Sequence, residues 1–419
     1  MSSSGQLLTS TSNWSGGQVF WHPHTGKPLL RTRFRYAPDA TVQDGRLFDV
    51  AIDKTRLTLP TVEPSPVFRT FVPDPAGLPL LQCRDVTVHP NGRLIAVGHS
   101  NGVSLFDLPT GLEVGLLDLK WNLFAHFDPS NGDLLTYGPR SLFRWPVRIK
   151  TGTPETIVVG SPRWLGAGSI VGNAEFDVSR DGKVIVVAND TRAVVYRQEA
   201  SGLKAITLGP LTDNRGARVS PDGRWALTST HAALGGLVWD ARTGQRGAKV
   251  RELRNDPESG AFFSGDGCWL TNGRRRWAVE TWEEGPPTPL ADEPTAKAFA
   301  PDGRSFAGQS DDESVHLIDA STGKTLVRLG LPEQSRTWHA AFSPDRSQLI
   351  HQSTDHFYVC AWDLRVLRRH LAELDLDWDA PPFPPAPTAE RRLPPVVIVE
   401  PIDPSLRPEV VVEPMKPEK

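Results

Sequence analysis

The chain has 419 residues, enough for two or three domains of ~150 residues or for one large all-β unit. Gly 36 and Pro 38 together make 74 of the 419 residues, about 18% against roughly 12% in average usage. The hydrophobic fraction is 38%, so many turns are expected, and collagen, coiled coil and full disorder are excluded. Lys+Arg 46 against Asp+Glu 49 leaves a net charge of −3, which supplies no global field for a polyanion; nucleic acid is not an expected partner.

Residues 1–17 are rich in Ser, Thr and Gly and lack the basic start and apolar core of a signal peptide. They are expected to be unstructured. No apolar run approaches the ~20 residues needed to cross a bilayer, so no membrane span and a cytoplasmic chain are expected. Cys83, Cys268 and Cys360 form no CxxC pair, which signals neither a disulfide framework nor a structural zinc; small buried hydrophobes are the expectation. Residues 18–82 read as a degenerate repeat or a closing strand. Val19-Phe20-Trp21 with Thr25-Gly26, and Tyr36-Ala37-Pro38-Asp39, look like worn copies of a unit that recurs beyond residue 82.

From residue 83 the chain repeats itself. A turn of the form x-Pro-Asp-Gly recurs around Pro90, Pro129, Arg180, Pro221, Gly265, Pro301 and Pro344, at steps of 39, 51, 41, 44, 36 and 43 residues. Proline presets φ, Asp or Asn tolerates the next position, and Gly accepts positive φ, so each copy is a hairpin turn. About sixteen residues later comes an apolar strand that often ends in Asp, with Thr-Gly beyond. Its copies fall at Phe106-Asp107, Trp145, Tyr196, Trp239-Asp240, a poor one near Val279, Ile318-Asp319 and Trp362-Asp363. The steps, 39, 51, 43, 40, 39 and 44, follow the same period. Short apolar runs between the marks, such as Leu94 to Val97 and Val184 to Val187, have the length and β-branched content of strands buried on both faces.

A unit of about 40 to 45 residues, with four strands closing on Trp-Asp, resembles the WD40 repeat of a β-propeller. The resemblance covers residues 83–365. It implies an all-β propeller of seven blades, with eight if the worn N-terminal copy counts. In the seven-blade reading, residues 67–71 supply the outer strand of the last unit; in the eight-blade reading, residues 28–34 do so. The Gly-His dipeptide that opens many WD40 units is mostly missing, so the family's buried His/Ser/Asp/Trp network is not expected here. The stretch from Ala361 to Pro382 is also similar to the end of bacterial WD40 arrays that follow serine/threonine kinase domains, which implies a link to bacterial kinase-type signalling.

After Trp362-Asp363 the period changes. Leu364, Leu367, Leu371 and Leu374 recur at three and four residues, which predicts a short amphipathic helix over 366–379. Residues 380–419 hold 12 prolines in 40 positions and are expected to be an unstructured tail.

Catalytic motifs fail on context. Kinase signatures are absent, Val50-Ala51-Ile52-Asp53-Lys54 carrying an inserted Asp. Gly98-His99-Ser100-Asn101-Gly102 spells the G-x-S-x-G of a nucleophile elbow, but a strand comes after it where a helix is required. Asp375, Asp377 and Asp379 begin a calcium loop that lacks its Gly and Glu. Positions beginning the first strands, Val86, Phe176, Ala217, Ala261 and Ala298, are apolar or small, which argues against convergent catalytic groups on the axis. No enzyme, cofactor or metal is expected. The one dense basic run, Arg274, Arg275 and Arg276, is the candidate binding patch, able to dock an acidic partner or to guard a strand edge. The reading is a monomeric, non-catalytic scaffold or sensing platform for an unidentified protein partner. Its rivals are the ligand-sensing part of a kinase-type system and an enzyme working in a central channel.

Overall fold

The computed structural model describes residues 8–11, 18–21, 28–32, 42–43, 46–47, 49–50, 57–58, 67–71, 73, 83–119, 124–138, 141–167, 174–230, 236–246, 261–271, 275–285, 295–309, 314–330, 337–353, 359–384 and 393–401. They are mostly β, as expected, with one helix among them.

Near the N-terminus, β1 (Leu8–Thr11), β2 (Gln18–Trp21) and β3 (Pro28–Thr32) form a three-stranded antiparallel sheet. Two short pairs come next, β4 (Val42–Gln43) with β5 (Arg46–Leu47) and β6 (Asp49–Val50) with β7 (Leu57–Thr58). After them stand β8 (Phe68–Phe71) and sheet I, built in order from β9 (Cys83–Val88), β10 (Leu94–His99), β11 (Gly102–Asp107) and β12 (Leu112–Leu117). Sheet II joins β13 (Phe124–Phe127), β14 (Leu134–Tyr137), β15 (Ser141–Trp145) and, beyond an inserted hairpin of β16 (Val147–Lys150) and β17 (Thr156–Val159), β18 (Arg163–Ala167). That insertion accounts for the long 51-residue step.

Sheet III contains β19 (Phe176–Val178), β20 (Val184–Asn189), β21 (Arg192–Glu199) and β22 (Gly202–Leu208). Sheet IV holds β23 (Asn214–Val219), β24 (Trp225–Thr230) and β25 (Gly236–Asp240), and sheet V holds β26 (Phe262–Phe263), β27 (Trp269–Thr271) and β28 (Arg276–Ala278). Sheet VI comprises β29 (Thr295–Phe299), β30 (Ser305–Gln309), β31 (Val315–Asp319) and β32 (Thr325–Leu329). Sheet VII comprises β33 (Thr337–Phe342), β34 (Gln348–Ser353) and β35 (Val359–Asp363), and its outer strand is β8, in the register Val359↔Phe71 to Trp362↔Phe68. Residues 68–71 are thus the outer strand of the last sheet; β3 pairs with β2 instead.

The turn chemistry explains the repeat. Ser179, Ser220, Ser264 and Ser343 each accept, at Oγ, the N–H of a residue five further on, at 2.9 to 3.0 Å. Each also donates to the turn carboxylate of Asp181, Asp222, Asp266 or Asp345. In six turns the last position is Gly with φ between 69 and 80°; in the seventh it is Arg346, with φ 64°. The Asp after each strand-ending residue has its own role. Asp107, Asp240 and Asp319 accept the N–H of Thr110, Thr243 and Thr322, folding the Thr-Gly corner.

Adjacent sheets bury apolar faces against each other. Leu94, Leu105, Leu134 and Trp145 fill the space between sheets I and II, and Tyr137, Phe176, Val186 and Trp239 continue through III to IV. Trp225 and Phe263 join IV to V, Phe262 and Phe306 join V to VI, and Leu317 and Leu349 join VI to VII. Phe71, Ile350, Val97 and Phe106 join VII to I, with the Phe71 and Phe106 rings 5.6 Å apart. The same seam is bonded: Arg69 on β8 donates to Leu108 O and Pro109 O, and Gln352 Nε2 to Cys83 O.

Several expectations need correction. The helix, α1, spans Leu364–Ala372 rather than 366–379. Asp363 caps it by accepting Val366 N–H, and a Schellman turn ends it, with Asp375 at φ 57° and Leu376 N donating to Leu371 O. Within 1–17, residues 8–11 pair with β2. The tail is not wholly unstructured: β36 (Val396–Val399) lies parallel to β17, because alternate valines find an apolar trench that composition does not reveal. Cys268 is exposed, while Cys83 and Cys360 are buried.

Three strand-ending tryptophans are bonded to the preceding strand. Trp145 Nε1 donates to Thr136 Oγ1, Trp239 Nε1 to Thr228 Oγ1, and Trp362 Nε1 to His351 Nε2. Each pair is diagonal across two neighbouring strands.

Candidate functional site

The first strands of successive sheets lie side by side, β9 against β13, β13 against β19, and so on to β33, which lies against β9. Side chains stitch them. Asp85 Oδ2 accepts Ala125 N–H at 3.0 Å, Asp177 Oδ2 accepts Val219 N–H at 2.9 Å, and Gln309 Oε1 accepts Thr337 N–H at 2.7 Å.

Charged groups converge where these strands meet. His126 Nε2 stands 3.0 Å from Asp85 Oδ2, and its Nδ1 3.9 Å from Asp177 Oδ1. His339 Nδ1 is 3.9 Å from Asp85 Oδ1, and its Nε2 lies 3.4 Å from Glu175 Oε1 without hydrogen-bond alignment. Arg218 Nη1 pairs with Glu175 Oε2 at 2.6 Å, while its guanidinium lies over the Phe262 ring of sheet V. Sheets VII, I, II, III and IV thus each contribute to one ionic cluster. Asp85 is almost fully buried, at 2% side-chain exposure, while His126 keeps 24% and Asp177 22%, so the cluster is open to water on one side.

Electrostatics derives from this crowding. Burial opposes charge on His126, but Asp85 and then Asp177 outweigh it and its pKa is raised. Burial would raise Glu175, yet Arg218 and His339 hold it down at about 2. For Asp177 burial prevails over His126 and Arg218, and its pKa is raised. Three carboxylates face one guanidinium and two imidazoles, so the charges balance when both imidazoles are protonated.

The expectation of an apolar axis is therefore wrong by one residue. Val86, Phe176 and Ala217 are buried between sheets, whereas Asp85, Glu175, Asp177 and Arg218, their chain neighbours, reach the cluster. Strand alternation sends neighbours to opposite faces, and the sequence does not say which face meets the neighbouring first strands. His126 and His339 carried no sequence signal, and they stand at different places in their first strands, two and four residues before the turn.

Of the predicted binding patch, Arg275 and Arg276 are described. Arg274 lies outside the described residues. Arg275 Nε is 3.7 Å from Glu284 Oε1, and the Arg276 guanidinium lies over the Trp269 ring at 4.7 Å. The repeat marks Phe106, Trp145, Trp239 and Ile318 are buried core, Tyr196 nearly so, and Trp362 is half-buried. Gly98 to Gly102 forms a hairpin between β10 and β11, as expected. His99 Nδ1 accepts Asn101 N–H and Nε2 bonds Ser104, with the His99 pKa pushed down to about 4 by burial. Asp377 is bound by Arg368 at 2.8 Å rather than offered to a cation.

Among the described residues, no three His, Cys, Asp or Glu side chains are grouped to hold a metal ion, and no helix is long and apolar enough to cross a membrane. No protein-family model matches the chain, and no curated protein matches it.

Proposed function

We propose that the seven sheets are blades of a WD40-like β-propeller that serves as a non-catalytic platform for protein partners. The observation that carries this reading is the cyclic series of turn contacts. A Cβ on Gly132 would collide with the His89 ring, one on Gly182 with the Asp128 carboxylate, and one on Gly223 would come within 3.4 Å of Ser179 Cβ. The series continues through Gly267 on Pro221, Gly303 on Asp266 and the Arg346–Asp302 ion pair, and Gly92 on Pro344 Cδ links the last turn to the first. Such a scaffold holds loops from every unit around one axis, the usual setting for binding. Asp85 and Asp177 accept backbone N–H groups of the next sheet, and Arg218 pairs with Glu175, as in a structural hub. Class-averaged electron micrographs should show a seven-lobed ring, and the immobilised full chain should capture protein without modifying it. An open or eight-lobed particle, or chemical turnover of a captured partner, would refute it.

A second reading is favoured by one observation, the water-accessible meeting of His126 and His339 with three carboxylates. It makes the axial cluster a small-ligand or catalytic site. Perturbation of His126 imidazole resonances by one member of a small-molecule library, absent in His126→Gln, would support it; no perturbation speaks for the hub. A sensing role in kinase-type signalling differs from the platform only in what is bound.

A further inference from the structure

The hairpin β16–β17 leaves one edge of β17 open beside β12, and β36 occupies that trench. Val396 N donates to Glu155 O at 2.9 Å and Glu400 N to Val159 O at 2.8 Å, bracketing the parallel register Thr156↔Val396 to Val159↔Val399. Val397 and Val399 turn into the core shared by sheets I and II, while Val396 and Ile398 stay about half exposed, at 48% and 49%. Gly115 on β12 makes the notch that admits Val397. A Cβ there would stand 2.9 Å from Val397 Cγ1, and the nearest atom outside Val397 is Leu105 Cδ1 at 3.7 Å.

Both ends of the trench carry polar fixtures. At its entry Arg93, itself held by Asp107 at 2.6 Å and Glu155 at 2.5 Å, donates to Leu393 O at 2.9 Å. At its exit the Glu400 carboxylate accepts Ser161 N–H at 2.9 Å. Main-chain bonds from an open strand edge, pockets for alternate side chains and a polar fixture at each end are the parts of a β-strand-addition site.

We propose that this trench is a peptide-binding site for an extended segment of a partner protein that presents two aliphatic side chains two residues apart, followed by a carboxylate. Residues 393–400 are its built-in, displaceable occupant. Only two side chains of the four-residue strand are turned inward, so release breaks their packing, the edge bonds and the two end fixtures but opens no sheet core, and its free energy lies below that of global unfolding. The proposal rests on the platform reading only for its purpose. A seven-lobed ring that fails to bind peptide would sink this proposal and leave the propeller standing.

The probe is a fluorescently labelled peptide of residues 393–401, tracked by anisotropy against the full chain. Val397→Asp should eject the resident strand and bind the peptide at least tenfold more tightly than the unmodified chain. Adding Gly115→Val to that variant should remove the gain by filling the notch. Equal binding by the unmodified and Val397→Asp chains, no binding by either, or no effect of Gly115→Val overturns the proposal. On the unmodified chain, hydrogen exchange checks the same point without relying on a variant. The Val396 and Glu400 amides should exchange at least a hundredfold faster than those of β10, and protection equal to β10 overturns displaceability. If sedimentation shows the unmodified chain as a dimer exchanging tails, the partner is a second copy and the proposal as stated fails.

Discussion

His126 Nε2 lies 3.0 Å from Asp85 Oδ2, and the same Asp85 oxygen accepts the Ala125 N–H. One carboxylate thereby joins sheet I to sheet II through both backbone and side chain, and the histidine passes the connection on to Asp177 of sheet III.

This arrangement makes stability depend on pH. The folded-state pKa of His126 is raised above its ordinary 6.5, so its contribution is complete below about 6.5 and is lost as pH rises through the raised value. Glu175, held at about 2, contributes above its ordinary 4.5, and that contribution fades as pH falls towards 2. Asp177, raised by burial, works in the opposite sense in acid. His99 and His351, whose pKa values burial pushes down to about 4, must stay neutral in the fold and cost stability as pH falls below 6.5. Thermal melts should therefore peak near or just above about pH 6.5 and decline beyond it, with the alkaline decline much reduced in His126→Gln. An unchanged alkaline limb in that variant would show that His126 is not its source.

Two tryptophans at equivalent repeat positions should differ. Trp145 is buried, at 1% exposure, and its indole donates to Thr136, whereas Trp362 is half-buried against Phe68, Leu364 and Leu349. Chemical denaturation should give about 3–5 kcal/mol for Trp145→Ala and a smaller loss for Trp362→Ala. The reverse order would mean that the seam between sheets VI and VII is packed more tightly than these burials imply.

Two glycines with nearly the same backbone should also separate. Gly111 has φ 73° with nothing near a Cβ, so Gly111→Ala costs only left-handed strain, about 1 kcal/mol. Gly182 has φ 69° and abuts the Asp128 carboxylate, which holds Arg144 at 2.5 Å. Gly182→Ala should cost about 3 kcal/mol, since overpacking of ~1–3 kcal/mol is added to the strain. Equal losses would argue against turn-to-turn packing.

Removing residues 386–419 deletes β36 and leaves Arg93 without Leu393 O. Loss of two largely buried valines, roughly 1.5 kcal/mol or more each, should lower the melting temperature by about 5 °C. A change under about two degrees would mean that the strand contributes nothing to stability in solution.

Turns and strand order were legible in the chain because their causes are local. A Ser that accepts a backbone N–H, an Asp that receives the Ser hydroxyl and a Gly at positive φ are each forced by the geometry of one hairpin, so they recur at the period of the unit. The 51-residue step is the outlier of that series, and the β16–β17 hairpin occupies its excess length. The closing strand at residues 67–71 could be named as one of two choices from the missing fourth strand of the last unit.

What only the tertiary structure decided depends on facing surfaces. Whether Val86 or Asp85 faces the ionic cluster is a matter of one residue of register, and composition is the same for either face. The partners of His126 and His339 come from other strands distant in the chain, so no spacing announces them. The tail shows the same limit. Its prolines predict a chain without a core of its own, but Val397 and Val399 are ordered by a notch at Gly115 and an open edge on β17, both made by sheets far away in sequence.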